Sequence, residues 1–143
     1  IIEALDDQPF PVVFPTHPRT EKEFNKLGVV PEGSLLLTDP LDYLDFLKLL
    51  KNARVVVTDS GGVQEEASIL EVPCLTVRPN TERPETIEAG VNRLLEPDDL
   101  AGQLTNVYRD SEIRRKMIGH PNLYGDGNAA NRIIAVLQKE LND

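Results

Sequence analysis

Short apolar runs and longer segments with helical spacing alternate along the chain. The apolar runs, rich in Val, Leu and Ile, fall at Pro11 to Phe14, Ser34 to Leu37, Arg54 to Thr58, Cys74 to Val77 and, shorter, Asn92 to Leu95. Runs of this kind mark strands of a parallel sheet covered by helices. Between them the spacing predicts helices at Thr20 to Leu27, Asp42 to Lys51, Gly62 to Leu70 and, briefly, Glu85 to Ala89. Three more follow near Pro97 to Tyr108, Ser111 to Ile118 and Asn128 to Leu141, and the opening Ile1 to Gln8 reads as a helix end. The last helix carries Ala130, Ile133, Ile134, Leu137 and Leu141 on one face, so it needs a surface to pack against. The turn-rich stretch Gly119 to Gly127 precedes it. With no repeat, low-complexity segment or linker, residues 1–143 are expected to form one domain.

The alternation predicts an α/β fold, a Rossmann-like, doubly wound parallel sheet between two helical layers. In such sheets ligands bind in the crevice beyond the carboxyl ends of the strands. The loops there are Pro15 to Arg19, Thr38 to Pro40, Asp59 to Gly62 and Arg78 to Glu85.

Composition narrows what the crevice holds. Forty per cent hydrophobic and 27% charged residues suit a globular chain. No apolar stretch approaches the roughly 20 residues that span a bilayer, so no membrane role is expected. A net charge of −9 opposes a nucleic-acid surface, which needs clustered Lys and Arg, so any anionic ligand must be held locally. The single cysteine, Cys74, permits no intrachain disulfide and fits a cytoplasmic location; it reads as a small buried hydrophobe. The only methionine is Met117 and the chain opens with Ile1, so sequence upstream is expected, without sign of a secretory leader.

The third apolar run leads directly into Asp59, Ser60, Gly61, Gly62 and a polar helix start at Val63, Gln64, Glu65, Glu66. Adjacent glycines let the backbone approach a ligand, and the free amides and partial positive charge of a helix start attract phosphate. A plain tight turn capped by Ser60 or Asp59 fits the same residues. A hydrolase nucleophile elbow would need glycine where Thr58 stands, and the spaced-glycine dinucleotide fingerprint and the Walker lysine are both missing. Asp-Ser-Gly-Gly also occurs in chymotrypsin-like proteases, but those are β-barrels and this serine lies in an α/β crossover.

The next loop brings Arg78 and Arg83 to the same crevice. Arginine suits bidentate phosphate contacts, against which stands surface pairing with Glu82 or Glu85. Glu66, on the early turns of the helix, is placed either to accept from ribose hydroxyls or to sit as a solvated helix-start carboxylate. His17 and Arg19 follow the first strand and are expected to face the crevice, with a structural histidine as the plainer reading. Phe46 shares a helix with Leu44, Leu47 and Leu50, just after Leu41, which suggests core packing.

Three motifs in order, TDSGGVQEEA from Thr58 to Ala67, TERPE from Thr81 to Glu85 with Ala89 and Gly90, and YGDG from Tyr124 to Gly127, resemble the non-hydrolysing UDP-N-acetylglucosamine 2-epimerases. PTHPRT after the first strand also looks like some members, and Leu123 stands where proline is usual. The resemblance covers essentially the whole chain as the family's C-terminal domain. It implies one half of a glycosyltransferase-B type pair of Rossmann-like domains, with the final helix, about residues 128–142, crossing to the other half.

It further implies that Ser60, Gly61 and Gly62 hold the UDP diphosphate, that Arg83 pairs with a phosphate, and that Glu66 binds the ribose. Phe46 would lie against uracil, with backbone near Leu41 and Leu44 reading its edge. His17 sits where some bacterial members place a histidine that helps bind a second, activating UDP-sugar, with Arg19 beside it. The implied reaction interconverts UDP-GlcNAc and UDP-ManNAc by eliminating UDP to a 2-acetamidoglucal and adding it back. Its catalytic groups would lie in the N-terminal half, none in this chain, with no cofactor and no metal. The full-length enzyme would be a cytoplasmic homodimer serving polysaccharide biosynthesis. A UDP-sugar glycosyltransferase, a hydrolysing epimerase or a non-catalytic nucleotide-sugar module would use similar crevice groups.

Overall fold

The computed structural model describes residues 1–142. Five strands form: β1 (Val12–Pro15), β2 (Leu35–Thr38), β3 (Val56–Thr58), β4 (Cys74–Val77) and β5 (Asn92–Leu95). All pairings are parallel, β1 with β2 in one sheet and β3–β4–β5 in another. The expected parallel architecture is therefore present, with its hydrogen-bonded ladder divided into two-stranded and three-stranded parts. One hydrophobic cluster nevertheless joins both parts, drawing Leu35 from β2, Leu75 from β4 and Leu95 from β5 together with Phe10, Leu100, Leu104 and Val107. Fully buried side chains such as Leu75 and Leu100 contribute about 1.5–3 kcal/mol each.

The helices are α1 (Ile2–Asp6), α2 (Pro18–Leu27), α3 (Tyr43–Lys51), α4 (Gly61–Ile69), α5 (Pro84–Glu88), α6 (Leu100–Arg109), α7 (Ser111–Lys116) and α8 (Ala129–Asn142). A 3-10 turn over Pro97–Asp99 leads into α6, so the helix foreseen from Pro97 begins as a tighter coil. Local chemistry explains several starts. Asp42 accepts from the Asp45 amide at the head of α3, Asp110 accepts from Glu112 and Ile113 at α7, and Pro18 supplies a preset φ at α2. Asp6 is a further tie: its carboxylate accepts from the amides of Glu32, Gly33 and Leu35, fixing the entry to β2. A Cβ at Gly33 would stand 2.4 Å from the Asp6 carbonyl oxygen, so only glycine lets the two segments meet.

Helices α3 and α4 pack together over a second cluster of Leu50, Ala67, Val72 and Cys74. By contrast α8 leaves Ile133, Ile134, Val136, Leu137 and Leu141 exposed, so the apolar face read from the sequence has no cover among the described residues. No helix of the described residues is long and apolar enough to cross a membrane.

Candidate functional site

The β3–α4 turn is held by short-range bonds. The Ser60 amide donates to Thr58 Oγ1 at 3.0 Å, which turns the chain out of the strand. The first intrahelical bond of α4 is from the Gln64 amide to the Ser60 carbonyl, leaving the amides of Gly61, Gly62 and Val63 ahead of it. Ser60 occupies the N-cap position, but its hydroxyl makes no capping bond. The capped-turn reading therefore fails in its chemistry: the side chain that would close the helix end leaves it open.

Arg83 closes over this end. A Cβ built on Gly61 would stand 3.8 Å from both Cζ and Nη2 of Arg83, and one built on Gly62 would stand 3.8 Å from Ser60 Oγ. The space above the glycines is thus bounded by free amides, a hydroxyl and a guanidinium, a donor set complementary to phosphate. Arg83 is oriented by other groups: Nε donates to Glu65 of α4 and Nη1 donates to the Glu82 carbonyl at 2.9 Å. The Glu65 carboxylate raises the already high pKa of the guanidinium. The surface pairing read from the sequence holds for Arg78 and differs for Arg83. Arg83 pairs with Glu65 rather than Glu82 or Glu85 carboxylates, while Arg78 reaches Glu82 at 4.0 Å and donates to the Asp59 carbonyl.

Beneath Arg83 lies a buried polar network. Thr81 Oγ1 donates to Gln64 Oε1 at 2.6 Å, and Asn92 Nδ2 donates to the same oxygen at 3.1 Å. Asn92 Nδ2 also donates to Thr86 Oγ1, and Thr76 Oγ1 donates to Asn92 Oδ1. Gln64 and Asn92 are only 1% and 2% exposed. Among the described residues Gln64 Nε2 has no hydrogen-bond partner. Nothing in the local sequence pattern singled out Gln64, Thr81, Thr86 or Asn92; the hint was a glutamine on the same helix face as buried Ala67.

The remaining candidates separate into two groups. Glu66 stands on α4 beyond the glycines, and its negative charge raises the pKa of the Tyr43 phenol, which places Tyr43 against it. Phe46 is half-buried against the Leu50, Ala67, Val72 and Cys74 cluster, as core packing requires. Leu41, Tyr43 and Leu44, ahead of and at the start of α3, are exposed and leave an apolar rim beside Glu66. Tyr124 of the YGDG segment also reaches the arginine: burial first, then the Glu85 carboxylate, pushes its phenol up, with Glu65 and Arg83 nearby.

His17 and Arg19 stand at the start of α2. His17 is the N-cap of α2, its Nδ1 accepting from the Arg19 amide at 3.2 Å, and both residues are exposed. Among the described residues no hydrogen bond or ion pair links them to the Ser60–Arg83 group. Nor does any group of three or more His, Cys, Asp or Glu side chains assemble as a metal site among the described residues.

A family model described as UDP-N-acetylglucosamine 2-epimerase matches residues 1–138. The UDP-N-acetylglucosamine 2-epimerase of Methanocaldococcus jannaschii is 42% identical over 142 residues, covering 96% of this chain and 37% of that protein. A structure of that organism's enzyme in complex with UDP-GlcNAc and UDP superposes with a TM-score of 0.78 at 36% identity, over 96% of this chain and 38% of the other. The Neisseria meningitidis enzyme bound to UDP-GlcNAc gives a TM-score of 0.80 at 32% identity, covering 96% and 40%. The chain thus spans a little over a third of the length of such relatives.

Proposed function

Since the chain belongs to the UDP-N-acetylglucosamine 2-epimerase family, we propose that it is the UDP-holding portion of such an enzyme, acting together with a second domain. The observation that carries this reading is the Arg83 guanidinium standing over Gly61 at the open start of α4. A diphosphate seated there would accept from the amides of Gly61 and Gly62 and from Ser60, with Arg83 on its outer side. Glu66, one turn further along α4, would accept from the ribose, displacing the Tyr43 phenol that now faces it. The exposed backbone around Leu41 and Leu44 and the edge of Phe46 would then receive uracil.

In the epimerisation of UDP-GlcNAc to UDP-ManNAc, C2 loses its proton and the C1–O bond to UDP breaks, giving a 2-acetamidoglucal. Protonation of C2 from the opposite face and return of UDP to C1 complete the inversion. The part of this chain is to stabilise the charge that accumulates on the departing diphosphate, which preoriented amides and a fixed guanidinium do without reorganising. The groups that move the C2 proton belong to the second domain, against which the apolar face of α8 packs in this reading. The complete enzyme works as a cytoplasmic homodimer.

Calorimetric titration of the chain with UDP, with uridine and ADP as controls, tests the proposal. UDP is expected to bind more tightly than either control. A well-folded chain that binds UDP no better than uridine would overturn the phosphate assignment.

A further inference from the structure

We propose that Thr81 and Gln64 are positioning residues for Arg83, holding its backbone so that the guanidinium stays in register with the start of α4; the inference rests on the diphosphate reading for its functional meaning but not for its geometry. The hydrogen bonds form a closed ring that begins and ends on one residue. The Arg83 amide donates to Thr81 Oγ1 at 3.0 Å, and that hydroxyl donates to Gln64 Oε1 at 2.6 Å. Gln64 Oε1 also accepts from Asn92 Nδ2, which donates in turn to Thr86 Oγ1, and the Thr86 hydroxyl donates to the Arg83 carbonyl at 2.7 Å. Both backbone polar groups of Arg83 are therefore held by threonine hydroxyls that flank it in sequence, and Gln64 and Asn92 tie those hydroxyls to α4 and β5.

Gln64 makes this ring a coupling between the two halves of the anion site. It is the residue whose amide makes the first intrahelical bond of α4, so it moves with Gly61 and Gly62, while Thr81 precedes Arg83 in the β4–α5 connection and Thr86 follows it in the first turn of α5. Arg83 is the N-cap residue of α5, and the Thr86 amide and hydroxyl both donate to its carbonyl. It precedes a five-residue helix, in an irregular conformation at φ −128° and ψ 57°, with no side-chain cap of its own. The orientation of the Gln64 amide follows from the ring: reversing it would set Nε2 against the Asn92 amide donor. The oxygen is held where Thr81 and Asn92 require it, and this orients the whole amide.

The test uses Thr81→Val, which keeps the shape of the side chain and removes the hydroxyl link, with Thr81→Ser as the conservative control. Two readouts are taken on the chain. Amide hydrogen exchange at Arg83 is expected to speed up at least several-fold in Thr81→Val and to return in Thr81→Ser. The dissociation constant for UDP is expected to rise about tenfold in Thr81→Val and to be restored by serine, with that for uridine within about twofold throughout. Unchanged Arg83 exchange in Thr81→Val overturns the proposal, as does an equal loss of UDP and uridine binding. If the unaltered chain fails to distinguish UDP from uridine while Arg83 exchange responds as expected, the positioning role stands and the diphosphate reading falls.

Discussion

At the end of β1 the chain turns through His17 into α2, and at the end of β3 it turns through Ser60 into α4. Both loops follow the carboxyl end of a strand, and both bring a polar residue to a helix start. At α2 the His17 imidazole accepts from the helix, and Pro18 removes one of the amides that would need a partner. At α4 two glycines take the corresponding places, the serine hydroxyl withholds its bond, and Arg83 arrives from another loop. One unit uses its own side chain to accept from a helix-start amide, and the other leaves the corresponding amide available with a cation opposite. The lesson is that strand–turn–helix geometry is permissive, and that what the cap does with its side chain decides between structure and ligand.

The largest test of that contrast is Arg83→Ala. It is expected to weaken UDP by about 10- to 100-fold while leaving uridine nearly unchanged, measured by calorimetry. Part of the loss should come from Glu65, which would then face the diphosphate without its counter-ion. Adding Glu65→Gln is therefore expected to recover affinity. If it weakens binding further, Glu65 does more than orient the arginine.

Gly61→Ala comes next. Its methyl would meet Arg83 only at van der Waals distance, so thermal melting should be unchanged or slightly raised, alanine being the better helix former. The same methyl occupies the space assigned to phosphate, and about tenfold weaker UDP binding is expected, from the loss of roughly one charge-assisted hydrogen bond. His17→Ala should do the reverse, lowering stability to denaturant by about 1 kcal/mol or less and leaving UDP affinity alone. A loss of UDP binding there would break the division between the two helix starts.

The smallest effect concerns acid. Hydrogen bonds from the Leu35 amide first, and from Glu32 and Gly33, lower the Asp6 pKa below its ordinary 3.8. A lowered folded-state pKa means that this tie is fully present above pH 3.8 and is lost as pH falls through the lower folded value. Asp6→Asn should therefore flatten the acid limb of a urea-melt series below pH 4. UDP binding at neutral pH should not respond.

The sequence made the elements legible because apolar runs and turn residues are local signals: Cys74–Val77 and Asn92–Leu95 begin and end where the run of side chains does. The glycine turn was legible as a turn, but a capped turn and an open anion site share the same residues, and only the bonds of Ser60 bear on the choice. The ring around Arg83 was not legible. Gln64 and Asn92 are 28 residues apart, and neither sits in a pattern that distinguishes a buried amide from a surface one. His17 was ambiguous for a related reason, as its ring serves equally for capping and chemistry, and only the 3.2 Å bond to the Arg19 amide separates them. The division of the sheet into two ladders depends on how strands lie side by side, which their composition does not encode.

Cys74 offers a chemical handle. It is the chain's single thiol, 1% exposed in β4, and burial pushes its pKa up to about 12. At neutral pH it is therefore a protonated, shielded sulfur that maleimides do not reach. A cysteine placed on α8, for instance Lys139→Cys, should accept a fluorophore alone, without first removing the native residue. The environment of that helix then becomes readable by fluorescence against a dark background.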